Sequence, residues 1–446
     1  MLKRISMLLL CVVALAVAPI CRANDLQDAI IAGDLVKTTA ILKGAPALLI
    51  DKDNNGLQPV HWAAFSASKD ILAFLLDQGA SVSARGYNGE TPLHVAAMAG
   101  KRDNVQLLLD RGAVVDPLDD RSETPLHYAA QSDNTIPVAK LLLGHQALIN
   151  AIDDDGNTPL HLAIQSNLQD MVKYLLSWDT INPNINNHNG ATPLHLAASI
   201  DAVDVEKALL AKGANPQQLN KQGANPLHVA AQAGAIESIK LFLANKVDIN
   251  SHNETGDTPL MEATGTNKEV LILLVANGAK LDEKNDFGYT PLHKAVINSN
   301  VAVIDYLLDK GLNVNSPAKF GATPLHLAAG MGALKLIKHL VDKGANVNAT
   351  DFEGTPPLMQ VPSGDYSKDI IDYLVGKGAD INSRGKDGQT LIYRAVLAGA
   401  KDLVAVLIAR NADVNIKAAN GKTPLTLATE SNLLDIADLL RKAGAK

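Results

Sequence analysis

Of the twelve histidines in this 446-residue chain, eight recur in one context: His61, His94, His127, His161, His195, His228, His293 and His326. Imidazole can ligate a metal, relay a proton or activate a nucleophile. Spacing decides among these. Neighbouring members stand 33 or 34 residues apart, except for the 65 residues between His228 and His293. Such a period places each ring on its own structural layer, and packed helices lie ~8–10 Å apart. Zinc needs its nitrogens at ~2.0–2.1 Å from one ion. A ladder of this kind offers no shared metal site, so a structural role is expected. Asp153-Asp154-Asp155-Gly156 suggests a calcium loop, but an EF-hand needs Gly at position six and Glu at twelve. Thr158 and Ile164 stand there instead, so the run reads as a turn. There is no Gly-x-Ser-x-Gly elbow, phosphate loop, Gly-x-Gly-x-x-Gly or His-Glu-x-x-His. No catalytic, metal or cofactor residues are assigned, no cofactor is expected, and the chain is expected not to be an enzyme. A metal-dependent enzyme is kept as an alternative that stoichiometric metal would favour.

Nucleophilic sulfur is equally scarce. The two cysteines, Cys11 and Cys21, fall in the first 23 residues. There, Lys3 and Arg4 precede an apolar run from Ile5 to Ile20, followed by Cys21-Arg22-Ala23. Basic start, apolar stretch and small-residue exit describe a secretory signal over 1–23, cut after Ala23, with Ala18 as the fallback site. The run falls short of the ~20 residues of a membrane span, and Ile20 is too large for a lipidation site at Cys21. Cleavage removes Lys3, Arg4 and Arg22, so 40 basic residues become 37 against 47 acidic ones. The net charge moves from −7 to −10, which argues against a nucleic-acid partner. The expected mature chain is a thiol-free monomer with no membrane span, periplasmic or secreted and bacterial in origin.

The histidines belong to a longer pattern. Thr-Pro-Leu-His begins at Thr91, Thr124, Thr158, Thr192, Thr290 and Thr323, with variants at Gln58, Asn225, Thr258, Pro356, Thr390 and Thr423. Successive starts lie 32–34 residues apart, the mark of a repeat architecture. In one unit Thr91 suits a helix N-cap and Pro92 the first helical position. Leu93, Ala96 and Ala97 form one apolar face, and Val105, Leu108 and Leu109 another. Gly112 suits a left-handed helix end. Helices of about two turns are too short to stand alone, so each unit must bury its face on its neighbours. The expected layout is an N-terminal cap unit over 24–57, eleven central units over 58–422 and a C-terminal cap unit over 423–446.

At these residues the chain resembles the ankyrin repeat family, whose Thr-Pro-Leu-His-x-Ala signature and 33-residue period it shares. The resemblance implies a mainly α solenoid of helix-turn-helix units with projecting β-hairpins, right-stacked into one elongated curved array. It implies a non-catalytic scaffold that binds one or more proteins on hairpin tips and first helices. It also implies that each motif histidine bonds the motif threonine and ties helix to hairpin: Thr91 with His94, Thr124 with His127, Thr158 with His161, Thr192 with His195, Thr290 with His293, Thr323 with His326. An effector released to act on host proteins is the alternative.

Partner-binding residues should be those that the repeat does not dictate. Early tips are acidic, with Asp119, Asp120 and Glu123, then Asp153, Asp154 and Asp155; later ones carry Phe287 and Tyr289, Phe320 and Phe352. Three of only six phenylalanines thus fall on successive tips, where exposed rings mark interface anchors. Tyr87 is an isolated instance, and Asp120 and Asp154 would steer a basic partner. Gln146, Lys246 and Asn411 replace the C′ glycine, the Thr258 unit lacks one residue and its histidine, and Pro362 interrupts the helix expected after Pro356.

Overall fold

The computed structural model describes residues 25–66, 68–364 and 367–446. The secretory signal expected over 1–23, with Cys11 and Cys21, and Asp365 and Tyr366 beyond Pro362, lie outside these residues.

The motif acts first as a helix start. Thr91 is extended (φ −99°, ψ 166°), Pro92 opens the helix Pro92–Met98, and His94 accepts from the Thr91 backbone N–H at 3.0 Å. This is a capping box in which histidine takes the place usually held by Glu or Gln. The same start opens Pro125–Ala130, Pro159–Gln165, Pro291–Ile297 and Pro324–Gly330. A second helix follows each, as Arg102–Asp110 follows Pro92–Met98. These helices are too short to persist alone, and packing supplies what propensity does not. Leu93, Ala96, Ala97, Val105 and Leu108 are completely buried, as are their counterparts Leu325, Ala328, Ala329, Ile337 and Leu340. The alanines let first helices approach closely, and the leucines fill the space between pairs.

The second helices end in left-handed residues, which free the last carbonyls for reverse-turn bonds. Gly112 and Gly344 adopt φ of 83° and 91°; Gln146, Lys246 and Asn411 hold the same conformation at 66°, 59° and 60°. Beyond several of these helix ends an asparagine bridges to the next unit. Asn315 Nδ2 donates to Gly344 O (3.2 Å) and its Oδ1 accepts from Asn346 N (2.8 Å). Asn150, Asn250 and Asn348 repeat this.

The projecting hairpins are tight turns, and no strand is formed among the described residues. At one tip Asp153 N donates to Asn157 O, while Asp153 Oδ1 accepts from the amides of Asp155 (2.9 Å) and Asn157 (2.7 Å). The carboxylate satisfies donors that a longer hairpin would pair across strands, so the arms need no ladder. Adjacent tips share one backbone bond: Asp154 N to Arg121 O, Lys319 N to Phe287 O, Phe352 N to Phe320 O, each 2.9 Å.

Two pairs depart from the pattern. After Thr258 the first helix shrinks to Pro259–Glu262 and continues as the 3-10 turn Ala263–Gly265. After Pro356 there is only the 3-10 turn Pro357–Gln360; Pro362 follows, and its carbonyl accepts from Ser367 Oγ at 2.8 Å. At the N-terminal end Asp25–Ile31 and Leu35–Gly44 pack without the motif, and the turn Pro46–Ile50 follows them. At the C-terminal end Leu434–Lys442 carries outward ion pairs, Arg441 with Asp438 and Lys401 with Asp435.

The chain forms two compact units by its contacts. The first runs up to Leu196 and takes in Lys207–Ala214; the second comprises Ala197–Glu206 and Asn215–Lys446. No helix among the described residues is long and apolar enough to cross a membrane.

Candidate protein-binding surface

The motif histidines are struts, and His61, His94, His127, His161, His228, His293 and His326 use both ring nitrogens. His94 Nδ1 faces the Thr91 amide and hydroxyl (3.0 and 2.9 Å), and Nε2 lies 2.9 Å from Glu123 O in the next tip. A backbone N–H can only donate and a carbonyl can only accept, so the ring is neutral with its proton on Nε2. His127 reaches Asn157 O, His161 reaches Ala191 O, His293 reaches Ala322 O and His326 reaches Thr355 O by the same route. His195 Nδ1 meets the Thr192 amide and hydroxyl at 3.2 and 2.8 Å. Burial pushes His94, His161 and His293 down to about 4, against partial opposition from those carbonyls. His61, His127 and His326 are lowered for the same first reason. A proton on Nδ1 would confront the cap amide, so these rings hold the turn in place and offer no free lone pair.

The tips behave differently along the chain. Asp119, Glu123 and Asp153, expected in a solvent-facing acidic patch, are buried. Asp119 Oδ1 accepts from Arg121 N and Glu123 N, and its Oδ2 accepts from Tyr128 Oη at 2.8 Å. Burial, then the Asp119 charge, raises the Tyr128 hydroxyl far above the usual phenol range. The exposed acids are Asp120, Asp154 and Asp155; Ser122 Oγ donates to Asp154 Oδ1 at 2.6 Å, and Arg121 pairs with Asp155 at 3.3 Å. The acidic surface is therefore smaller and partly neutralised. Tyr87 is 62% exposed, with Lys52 Nζ 5.3 Å above its ring.

The aromatic tips of the second unit face solvent. Phe287, Phe320 and Phe352 are 52%, 70% and 59% exposed. Phe287 and Phe320 both occupy the third place of their turns, and Phe352 the second. The backbone bonds from Lys319 to Phe287 and from Phe352 to Phe320 join the three turns directly. Tyr289 is half-buried and stacks between Phe287 (centroids 5.9 Å, 29°) and His293 (5.5 Å, 20°). It thereby fixes one ring of the row to the histidine strut. Gly321 keeps the row close: its φ is 84°, and a Cβ there would lie 2.7 Å from Phe352 N. The structure thus brings Phe287, Tyr289, Phe320 and Phe352 onto three consecutive turns, whereas Tyr87, Asp120 and Asp154 sit on turns of the first unit.

A family model described as "Ankyrin repeats (3 copies)" matches residues 26–119, 114–187, 179–253, 237–318, 260–351, 310–384 and 358–446. The chain belongs to the ankyrin repeat family. Ankyrin repeats are scaffolds for protein–protein interaction, and the helix pairs with bonded tips are the form that the resemblance implied. A search of the curated proteins finds no match.

The ankyrin motif also shows what its own spacing conceals. The residue following the motif histidine is apolar in several repeats, as Val95, Leu162 and Val229 are, but is Lys294 in the Thr290 repeat. In the Thr258 repeat the histidine is Met261, and Glu262 follows it. Glu262 accepts from Asn253 Nδ2 (2.9 Å) and Gln232 Nε2 (3.2 Å), and burial raises its pKa. Beside it Asp257 is buried, bonded to Lys294 Nζ (2.7 Å) and Asn285 Nδ2 (2.8 Å). This polar cluster was not among the expected site residues. The one available signal was a carboxylate in a repeat without the histidine, at a position that is apolar in several repeats and lysine in the next one.

Proposed function

We propose that this ankyrin-repeat chain is a non-catalytic scaffold of the periplasm or extracellular space, and that it anchors a protein partner on Phe287, Tyr289, Phe320 and Phe352. The exposed ring row on three hydrogen-bonded tips carries the proposal. Core burial does not account for these rings, and aromatic anchors dominate protein interfaces. Tyr289, locked against His293, gives the row a rigid base that loses little freedom on binding. The leader over 1–23 supports the location, and Asp120, Asp154 and Tyr87 would add steering and a lesser contact.

The test is cross-linking in the native compartment with identification of the captured protein. Replacing all four aromatics by alanine should abolish capture while helicity stays unchanged, because the rings contribute little to the core. Undiminished capture would remove the aromatic row from the interface. Mass spectrometry of the isolated protein should give an N-terminus at Asn24; an intact Met1 in the cytoplasmic fraction would overturn the location.

A further inference from the structure

The polar cluster around Glu262 coincides with a cavity. Beside Glu262 lies a space of about 440 Å³, lined among others by Asn220, Val229, Gln232, Asn253 and Glu254. That volume is within the range of small-ligand sites. The residues lining it include two carboxylates and no lysine or arginine. Neither Glu254 nor Glu262 has a salt-bridge partner among the described residues, whereas neighbouring Asp257 is neutralised by Lys294. Each Glu262 oxygen accepts one neutral amide, and a carboxylate oxygen has room for a second donor. Gln232 and Asn253 orient the group without cancelling its charge. Val229, half-buried on the wall, gives an aliphatic stem something to lie against.

We infer that this cavity receives one basic side chain, arginine or lysine, of the protein partner, with Glu262 as its ion-pairing group and Glu254 at the rim. The inference rests on the scaffold proposal and deepens it. A segment lying on the tips of Phe287, Phe320 and Phe352 that continues past Phe287 meets Glu254 on the next tip toward the N-terminus. Arginine suits the site best, since its planar fork can bond both oxygens. A cation beside the half-buried carboxylate would favour the charged form that burial disfavours.

The experiment uses N-acetyl-arginine amide as probe, with N-acetyl-citrulline amide as its uncharged isostere, titrated into the full mature chain and followed by backbone amide NMR. The arginine probe should shift signals across 220–232 and 253–262 in a saturable way, and the citrulline probe should not. Glu262→Gln should weaken the arginine probe about tenfold, the scale expected on losing a charge-assisted bond. Glu254→Gln should weaken it less and leaves the inner helix untouched, so it reads the site even where Glu262→Gln perturbs folding. Absence of saturable shifts, equal response to citrulline, or indifference to both substitutions would overturn the inference. The two proposals fail separately: undiminished capture by the four-alanine variant sinks the aromatic row, whereas the arginine probe reports on the cavity alone.

Discussion

The repeats with a motif histidine and the two that carry methionine in its place solve the same local problem in different ways. In the Thr91 repeat His94 joins its own cap to the next tip, the helix runs through Met98, and the following residue, Val95, is apolar. In the Thr258 repeat Met261 is completely buried but can serve neither amide nor carbonyl; the α-helix stops at Glu262 and a 3-10 turn completes it. In the Pro356 repeat Met359 lies in a 3-10 turn and no first α-helix forms. In both methionine repeats the first helix is shortened or lost and a polar side chain, Glu262 or Gln360, follows the methionine, whereas the Thr390 and Thr423 repeats, with Tyr393 and Thr426 in the histidine's place, keep full first helices. The difference teaches that a first helix can form without histidine, but that methionine in its place goes with a shortened one and, at Glu262, with a polar inner surface.

Acidification should break this comparison most strongly. Unfolded histidine titrates near pH 6.5, whereas His94, His161, His228 and His293 are held down to about 4 by burial. Between those values the unfolded chain binds more protons, so stability must fall as pH drops through the window and is fully present above pH 6.5. A 2.5-unit depression corresponds to about 3 kcal/mol for each such histidine. Several acting together should make the urea midpoint fall steeply between pH 6.5 and 4. Hydrogen exchange should show the histidine repeats losing protection in that range before the Thr258 repeat does. A flat profile over the window would contradict the neutral, Nε2-protonated strut.

A single substitution sharpens the contrast at smaller scale. His94→Leu keeps an apolar body of similar size but strips the Thr91 amide of its partner and removes one bond to Glu123 O, which still accepts from Asp119 N. The loss should be about 2–4 kcal/mol, because a buried donor is left unsatisfied and a void opens. Met261→Leu, buried to the same extent, should cost under ~1.5 kcal/mol. Urea denaturation of the two variants measures the gap; equal losses would mean that the strut contributes only packing.

How much of this was legible in the sequence follows from the range over which each feature acts. The Thr-Pro-Leu-His cap is local, and its period exposes both the helix starts and the histidine row. The C′ positions were equally open, since Gln146, Lys246 and Asn411 keep the left-handed conformation of the glycines they replace. The acidic tips were not. An aspartate that opens a turn reads the same whether it faces water or folds back, and Asp119 and Asp153 fold back onto the amides of their own turns. The cluster at Glu262 was further out of reach, because its bonding partners Gln232 and Asn253 come from other parts of the chain, 30 and 9 residues away. The aromatic row was visible as a composition anomaly, but its seating, with Tyr289 between Phe287 and His293, depends on the fold.

The smallest effect concerns how far a repeat tolerates a wrong residue without changing shape. Lys246 holds φ 59° where most repeats have glycine. A non-glycine side chain in that region costs roughly 1–2 kcal/mol. Glycine would remove this strain but add freedom to the unfolded chain, worth ~0.4–1 kcal/mol. Lys246→Gly should therefore stabilise by about 0.5–1 kcal/mol, and the bond that Lys246 O accepts from Gln217 Nε2 survives because it uses the backbone. Asn411→Gly, at φ 60°, should change stability by less, because asparagine already tolerates this conformation. A thermal melt that ranks asparagine replacement above lysine replacement would show that the left-handed strain is relieved elsewhere, and that these ends, unlike the histidine struts, place no demand on the residue they hold.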